Sequence, residues 1–328
     1  MDIQIQKEKI NIKKKIGEKN KRIVIEKDVI LPDSKPDIIK IQNESSNAYI
    51  TKKENMENKI KIDGGVATRI SYLTGEGKCR VLKIEESFSE VLEIQGVTEE
   101  TYINDSLNIR NTNVTILNER KIHYKVEIDC MVKASKKEEV EYIYEINKSH
   151  NLQTLTQKRR IDTFVGHGES KLSVKEKMEI ENLQESIEVV QMTHRIVNIE
   201  KKISYNKVLI KADCEMKCLY QTENGHIYVA KKDVPLMGFL DIENVEESNY
   251  VNTEFNLKNI NITENENDIK PGIDIEMEIN MIGDVYDSKD INMINDLYDL
   301  NYKTEFSKQK VMLENSSTVP SQTATINQ

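Results

Sequence analysis

The chain has 328 residues, 31% of them charged and 38% hydrophobic, with a formal net charge of −9. That length fits two domains of ordinary size, and the dispersed negative charge argues against nucleic acid, whose phosphates call for a clustered basic face. Four cysteines do not make a disulfide framework, and no run approaches the roughly 20 apolar residues of a membrane-spanning helix.

Residues 1–20 alternate Ile with Gln, Lys and Glu and gather Lys13, Lys14, Lys15 and Lys19. They read as a basic, solvated N-terminal extension. No apolar core of signal-peptide length occurs there, so the chain is expected to stay in the compartment where it is made. Next, residues 28–41 place Pro32-Asp33 and Pro36-Asp37 between two apolar runs. Two prolines fix φ twice and hold the preceding residues extended, and each Asp can bond to the backbone ahead of it. The segment reads as a stiff corner between strands. A partner-docking segment is its functional reading.

A long repeat follows. Residues 59–115 align without a gap on 207–263, with 17 of 57 positions identical. Tyr72/Tyr220, Gly77/Gly225, Ile94/Ile242 and Tyr102/Tyr250 are among them. A fixed long period marks a duplicated folding unit. The boundaries expected are 21–148 for the first β domain, 149–285 for a divergent second one, and 286–328 for an acidic segment and a polar tail. Each unit is large enough to bury a core.

Strand patterning dominates both copies. Apolar residues take every even position from Ile122 to Val132, which buries one face of a strand. Residues 273–279 alternate likewise and are expected to match this strand at an offset of 147, one residue having been lost in the preceding turn. Residues 208–218 alternate from Val208 to Cys218, and Asn224-Gly225 supplies a hairpin turn, as Gly77 does in the first copy. Strands are also expected near 78–84 and 140–146. Helical patterning is weaker: residues 174–190 suggest a short amphipathic helix and 284–299 a terminal one. Beyond Glu314 the chain is too polar to fold by itself. The fold class expected is mainly β, two tandem related β-sandwich-like domains with few short helices.

Residues suited to chemistry do not assemble. The five histidines share no metal-ligand spacing, and none recurs in the other copy. On a strand, Cys214 and Cys218 lie about 13 Å apart, too far for a disulfide or a shared zinc, so they read as core residues. Gly64-Gly65 and Gly75-x-Gly77 open no helix and make no phosphate cradle. No catalytic, cofactor-binding or metal-binding residue is expected, and the protein is read as a non-enzyme. The candidate interaction residues are Leu31, Pro32, Asp33, Lys35, Pro36 and Asp37.

Leu31-Pro32-Asp33-Ser34-Lys35-Pro36-Asp37-Ile38 resembles the signature of the SipL SPOCS-domain family of spore-forming bacteria. The strand near 59–62, the glycine turn and the strand ending at Gly96 are similar to that family too. The resemblance covers roughly 20–145 and extends to about 285 through the duplication. The second copy's counterpart of the corner is read at 171–180, which has no proline. The resemblance implies spore-envelope morphogenesis: such proteins link the coat's basement ATPase, SpoIVA, to the rest of the coat. It also implies protein partners among the envelope proteins and a chain made in the mother cell that acts at the forespore surface. Exposed strand edges, which pair with neighbouring chains unless blocked, are expected to serve self-association or a coat partner. SipL itself ends in a LysM module, a pattern absent from 286–328, so direct contact with that ATPase is not implied. The alternative function is a glycan- or cell-wall-binding β module.

Overall fold

The computed structural model describes residues 4–146, 152–180, 186–222, 224–265, 272–300, 303, 308–311 and 324–327. Twelve long strands run in two sets of six. The first set is β1 (Ile5–Ile30), β2 (Ile38–Met56), β3 (Lys59–Thr74), β4 (Cys79–Glu93), β5 (Tyr102–Asn118) and β6 (Lys121–Ile146). The second is β7 (Leu152–Glu179), β8 (Ile187–Ser204), β9 (Lys207–Thr222), β10 (Ile227–Asp241), β11 (Tyr250–Asn265) and β12 (Gly272–Asp299). A short pair, β13 (Lys308–Val311) and β14 (Ala324–Asn327), completes the described residues, and none of them is helical.

Each set makes two three-stranded sheets of the same order: β1-β6-β5 with β2-β3-β4, and β7-β12-β11 with β8-β9-β10. The sheets of a set face each other across one core, so the chain is a mainly β protein of two related sandwiches. In the first core Ile122, Tyr124, Val126, Ile128 and Val132 of β6 meet Ile60, Ile62, Val66 and Ile70 of β3, all fully buried. Burying each such side chain contributes roughly 1.5–3 kcal/mol. The second core is built likewise around Val208, Ile210, Cys214, Met216 and Cys218 of β9. Cys214 and Cys218 are thus buried free thiols, which desolvation pushes up to about 11 and about 12.

The turns repeat with the strands. Asn58 and Asn206 hold positive φ between β2 and β3 and between β8 and β9, a conformation Asn tolerates better than most residues. Each accepts a hydrogen bond on its side chain from the amide of the next turn, Gly96 in one copy and Asn244 in the other. The expected hairpins at Gly77 and Gly225 both form, with the glycine amide bonded to Thr74 or Thr222.

Strand register corrects several expectations. Val114 pairs with Tyr124 and Ile262 with Ile275, so the last strands correspond at an offset of 151, not 147. The reason is the β11–β12 connection, which gained residues where a loop tolerates them. Residues 5–20, expected as a solvated extension, are the first half of β1 and pair with β6 from Ile5 opposite Ile146 onward. Their Ile–Lys alternation was strand periodicity. Residues 284–299, expected as a terminal helix, are the second half of β12 and pair with β7. The helix expected over 174–190 is the end of β7 and the start of β8, and residues 181–185 between them lie outside the described residues. Reading across two strands had mimicked a helical stripe. The corner's counterpart is also displaced from 171–180: Ile180 and Ile187 hold the positions of Leu31 and Ile38. The tail after Glu314 falls mostly outside the described residues, save Ala324–Asn327, which pairs with Lys308–Val311.

The two sandwiches share a third, smaller core. The outer ends of β1 and β6 form one ribbon, and the start of β7 with the end of β12 forms another. They bury Ile10, Ile12, Val140 and Tyr142 against Ile161, Ile291 and Met293.

Candidate interaction site

The corner between β1 and β2 carries the chain from one sheet of the first sandwich to the other. Its ends are pinned by burial: Leu31 is 2% exposed and Ile38 1%. Their amides bond to the carbonyls of Arg120 and Glu119 in the β5–β6 turn, at 2.9 and 2.8 Å. Lys35 N–H closes a turn on the Pro32 carbonyl at 2.9 Å, and the two prolines have no amide to satisfy.

Arg120, which sequence reading did not single out, is the clamp. Its guanidinium donates to the carbonyls of Lys35 (2.5 Å), Leu31 (3.2 Å) and Pro32 (3.0 Å) and to Asp37 Oδ1 (3.1 Å). Asp33 Oδ1 lies 3.8 Å away. One planar fork thus gathers a turn's carbonyl oxygens and neutralises both motif aspartates. The only sequence sign of this was its place in a tight turn beside an alternating strand. Tyr72 adds a hydroxyl bond to the Pro36 carbonyl at 3.2 Å.

The six candidate residues therefore divide. Leu31 belongs to the core. Lys35 points across to the second sandwich, where its Nζ meets Glu188 Oε1 at 2.6 Å, and the other oxygen of Glu188 accepts Val81 N–H at 2.5 Å. Pro36 and Asp37 are exposed but serve Tyr72 and Arg120 with their oxygens. Pro32 and the fully exposed Asp33 stand furthest out into solvent.

Two polar networks tie the sandwiches together, the first of them beside this corner. In the first, Arg69 of β3 donates to Glu264 (3.0 Å) and to the carbonyls of Val189 (3.1 Å) and Ile262 (2.9 Å). Lys83 also binds Glu264, and Ser71 bonds Gln221 at 2.7 Å. Burial alone would raise the Glu264 carboxyl, but Lys83 and its other partners hold it below the usual range.

The second network is centred on Asp284. It accepts from Lys13 at 2.6 Å and from His167 Nδ1 at 2.8 Å. His167 Nε2 faces Glu169 at 3.3 Å, and Glu169 accepts from Asn280 at 2.9 Å and lies 3.6 Å from Lys53. Desolvation works against the Glu169 carboxylate, yet His167 and Lys53 bring it down to about 2. A cleft of about 470 Å³ opens beside His167 and Glu169, lined also by Lys53 and Tyr102. Both ring nitrogens of His167 face carboxylates, so neither is left to take a proton from a molecule in that cleft. Among the described residues no group of three His, Cys, Asp or Glu side chains could hold a metal ion.

The fold and its corner define a duplicated all-β protein, two sandwiches joined through polar seams and a shared apolar ribbon. A family model described as "SipL, SPOCS domain" matches residues 37–117 and again 186–265. The chain belongs to this SPOCS-domain family, a family of sporulation proteins. The two matches coincide with β2–β5 and β8–β11. They are narrower than the span read from sequence: strands β1, β6, β7 and β12 and residues 31–36 of the corner fall outside them. Comparison with curated proteins and with solved structures gives no match.

Proposed function

We propose that this protein is a non-enzymatic adaptor of the bacterial spore envelope, made in the mother cell and acting at the forespore surface through contacts with other envelope proteins. The observation that carries the reading is the clamped corner. Arg120 holds a proline-stiffened turn in one shape while Pro32 and Asp33 remain exposed to solvent. A preorganised surface loses little conformational entropy on binding, as a docking element requires. The buried ionic groups support the non-enzymatic part, since they neutralise one another across the seam. No helix among the described residues is long and apolar enough to cross a membrane.

The test is a fluorescent fusion followed through sporulation. The reading expects a shell around the forespore, and loss of that shell in Asp33→Arg protein that folds normally. Diffuse signal throughout sporulation would overturn it. Retention on purified cortex peptidoglycan without other proteins would favour the cell-wall-binding alternative.

A further inference from the structure

The duplication provides an internal comparison. In the first sandwich, the start of edge strand β4 is covered by the second: Val81 is 0% exposed and its amide is bonded by Glu188. The equivalent strand β10 is also an edge, paired only with β9. There Val229, the counterpart of Val81, is 55% exposed, Ile227 62% and Met237 61%. Scattered apolar residues are ordinary on a surface, but a row of them along an open edge is a template for another strand.

The geometry of that edge is legible. Thr222 N–H bonds to the His226 carbonyl, so the alternating ladder turns even-numbered peptide groups of β10 towards β9 and odd-numbered ones outward. The outward-pointing amide of odd-numbered Val81 in the sister strand agrees. Pro235, which has no N–H, sits at an outward position, where a sheet admits proline. Lys231 and Asp233 are exposed, and neither has an ion-pair partner among the described residues.

We infer that β10 pairs antiparallel with β10 of a second copy of this chain, about a two-fold axis at Lys232. This register sets Lys231 opposite Asp233 of the other copy, twice by symmetry, and each pair exchanges two backbone hydrogen bonds. It sets Ile227 opposite Met237 and Val229 opposite Pro235, so exposed apolar residues cover one another. The Val229 amide meets the Pro235 carbonyl, and the Val229 carbonyl is left to water. On the axis Lys232 faces Lys232 of the other copy, each ammonium being held by Glu176 of its own chain at 2.7 Å. Shifting the centre by one residue forfeits both Lys231–Asp233 pairs and puts the unpaired Lys231 opposite Lys231 or Asp233 opposite Asp233, which like-charge repulsion opposes. An isologous contact of this kind closes on itself and yields a dimer, not a fibre. The two sheets β8-β9-β10 become one six-stranded sheet. The dimer stands on this edge alone and is independent of the envelope reading.

Sedimentation velocity on the full chain tests it. The wild-type protein is expected to dimerise as concentration rises through the micromolar range. Asp233→Lys and Lys231→Asp each place like charges opposite one another and should weaken the dimer about tenfold or more. A one-to-one mixture of the two variants restores both ion pairs and should dimerise again. Circular dichroism and urea midpoints matching wild type show that the variants fold, and Met237→Lys is a second disruption independent of the charge pairs. Wild-type protein monomeric to about 100 μM overturns the inference. So does a charge variant that dimerises like wild type, or a mixture that stays monomeric.

Discussion

Lys13 and Asp284 lie 271 positions apart in the chain and 2.6 Å apart in the fold, with the lysine side chain only 2% exposed. The pair joins β1 of the first sandwich to β12 of the second. It draws residues 5–20, which composition alone marks as a solvated basic tail, into the body of the protein.

Removing one partner of a buried pair leaves the other charge uncompensated. Lys13→Met should therefore destabilise the protein by about 3 kcal/mol, read as a lowered urea midpoint. Lys19→Met, on the exposed part of the same strand, should change the midpoint little. Equal effects from the two would mean the N-terminal half of β1 is not docked.

The same network sets a pH dependence. Burial lowers the His167 pKa, but hydrogen bonds to Asp284 and Glu169 outweigh it and the net shift is upward. A raised folded value means the stabilisation is complete below the unfolded value of about 6.5 and is lost as pH rises through the folded one. Glu169 and Asp284 are depressed, so their contributions hold above about pH 4 and fade as pH falls through their folded values. His194, lowered by burial, tilts stability the opposite way from His167. The informative quantity is thus the difference between wild type and His167→Gln. Urea midpoints measured from about pH 5.5 to 8.5 should show that difference shrinking as pH rises; a constant difference would rule out a charged His167 at the seam.

Arg120→Ala should loosen the corner, because four oxygens lose a charged donor at once. Hydrogen bonds to charged groups contribute roughly 1.5–3 kcal/mol, so a loss of about 2 kcal/mol is expected. Arg120→Lys should recover little, since an ammonium cannot span carbonyls on both sides of the turn as the planar fork does. Hydrogen exchange resolved to the Lys35 and Ile38 amides would place the loosening at the corner.

The duplication predicts matched behaviour at two glycines. Gly17 and Gly166 occupy equivalent register shifts in β1 and β7. A Cβ on Gly17 would come within 2.7 Å of Ile94 Cγ2, and one on Gly166 within 2.6 Å of Ile242 Cγ2. Alanine at either site should cost about 1–3 kcal/mol through overpacking, measured by thermal or urea unfolding. Alanine at Gly75, which has open space around it, should not.

Much of the fold was legible in the chain. Alternation from Ile122 to Val132 and from Val208 to Cys218 marked buried faces, because a strand's side chains point to opposite sides with period two. Gly77 and Gly225 marked hairpins, and the repeat marked two units. The corner was visible through its prolines. Its clamp was not: Arg120 lies 83 positions from Asp37, and an isolated arginine in a turn carries no pattern. The helices expected over 174–190 and 284–299 failed because short apolar spacings fit either period until a partner strand decides.

By itself, then, the sequence determined what each segment could bury and where the backbone could reverse, since those are properties of neighbouring residues. Which strands pair, at what register, and which charges end up sharing a seam were decided only in three dimensions. Lys13 finds Asp284, Lys35 finds Glu188 and Arg69 finds Glu264. Each contact depends on how two separately folded cores meet, and their meeting reflects surface shape and desolvation, not local periodicity. The same docking covers Val81 on one sandwich and leaves Val229 open on the other, a difference that an identical residue at equivalent positions could not announce on its own.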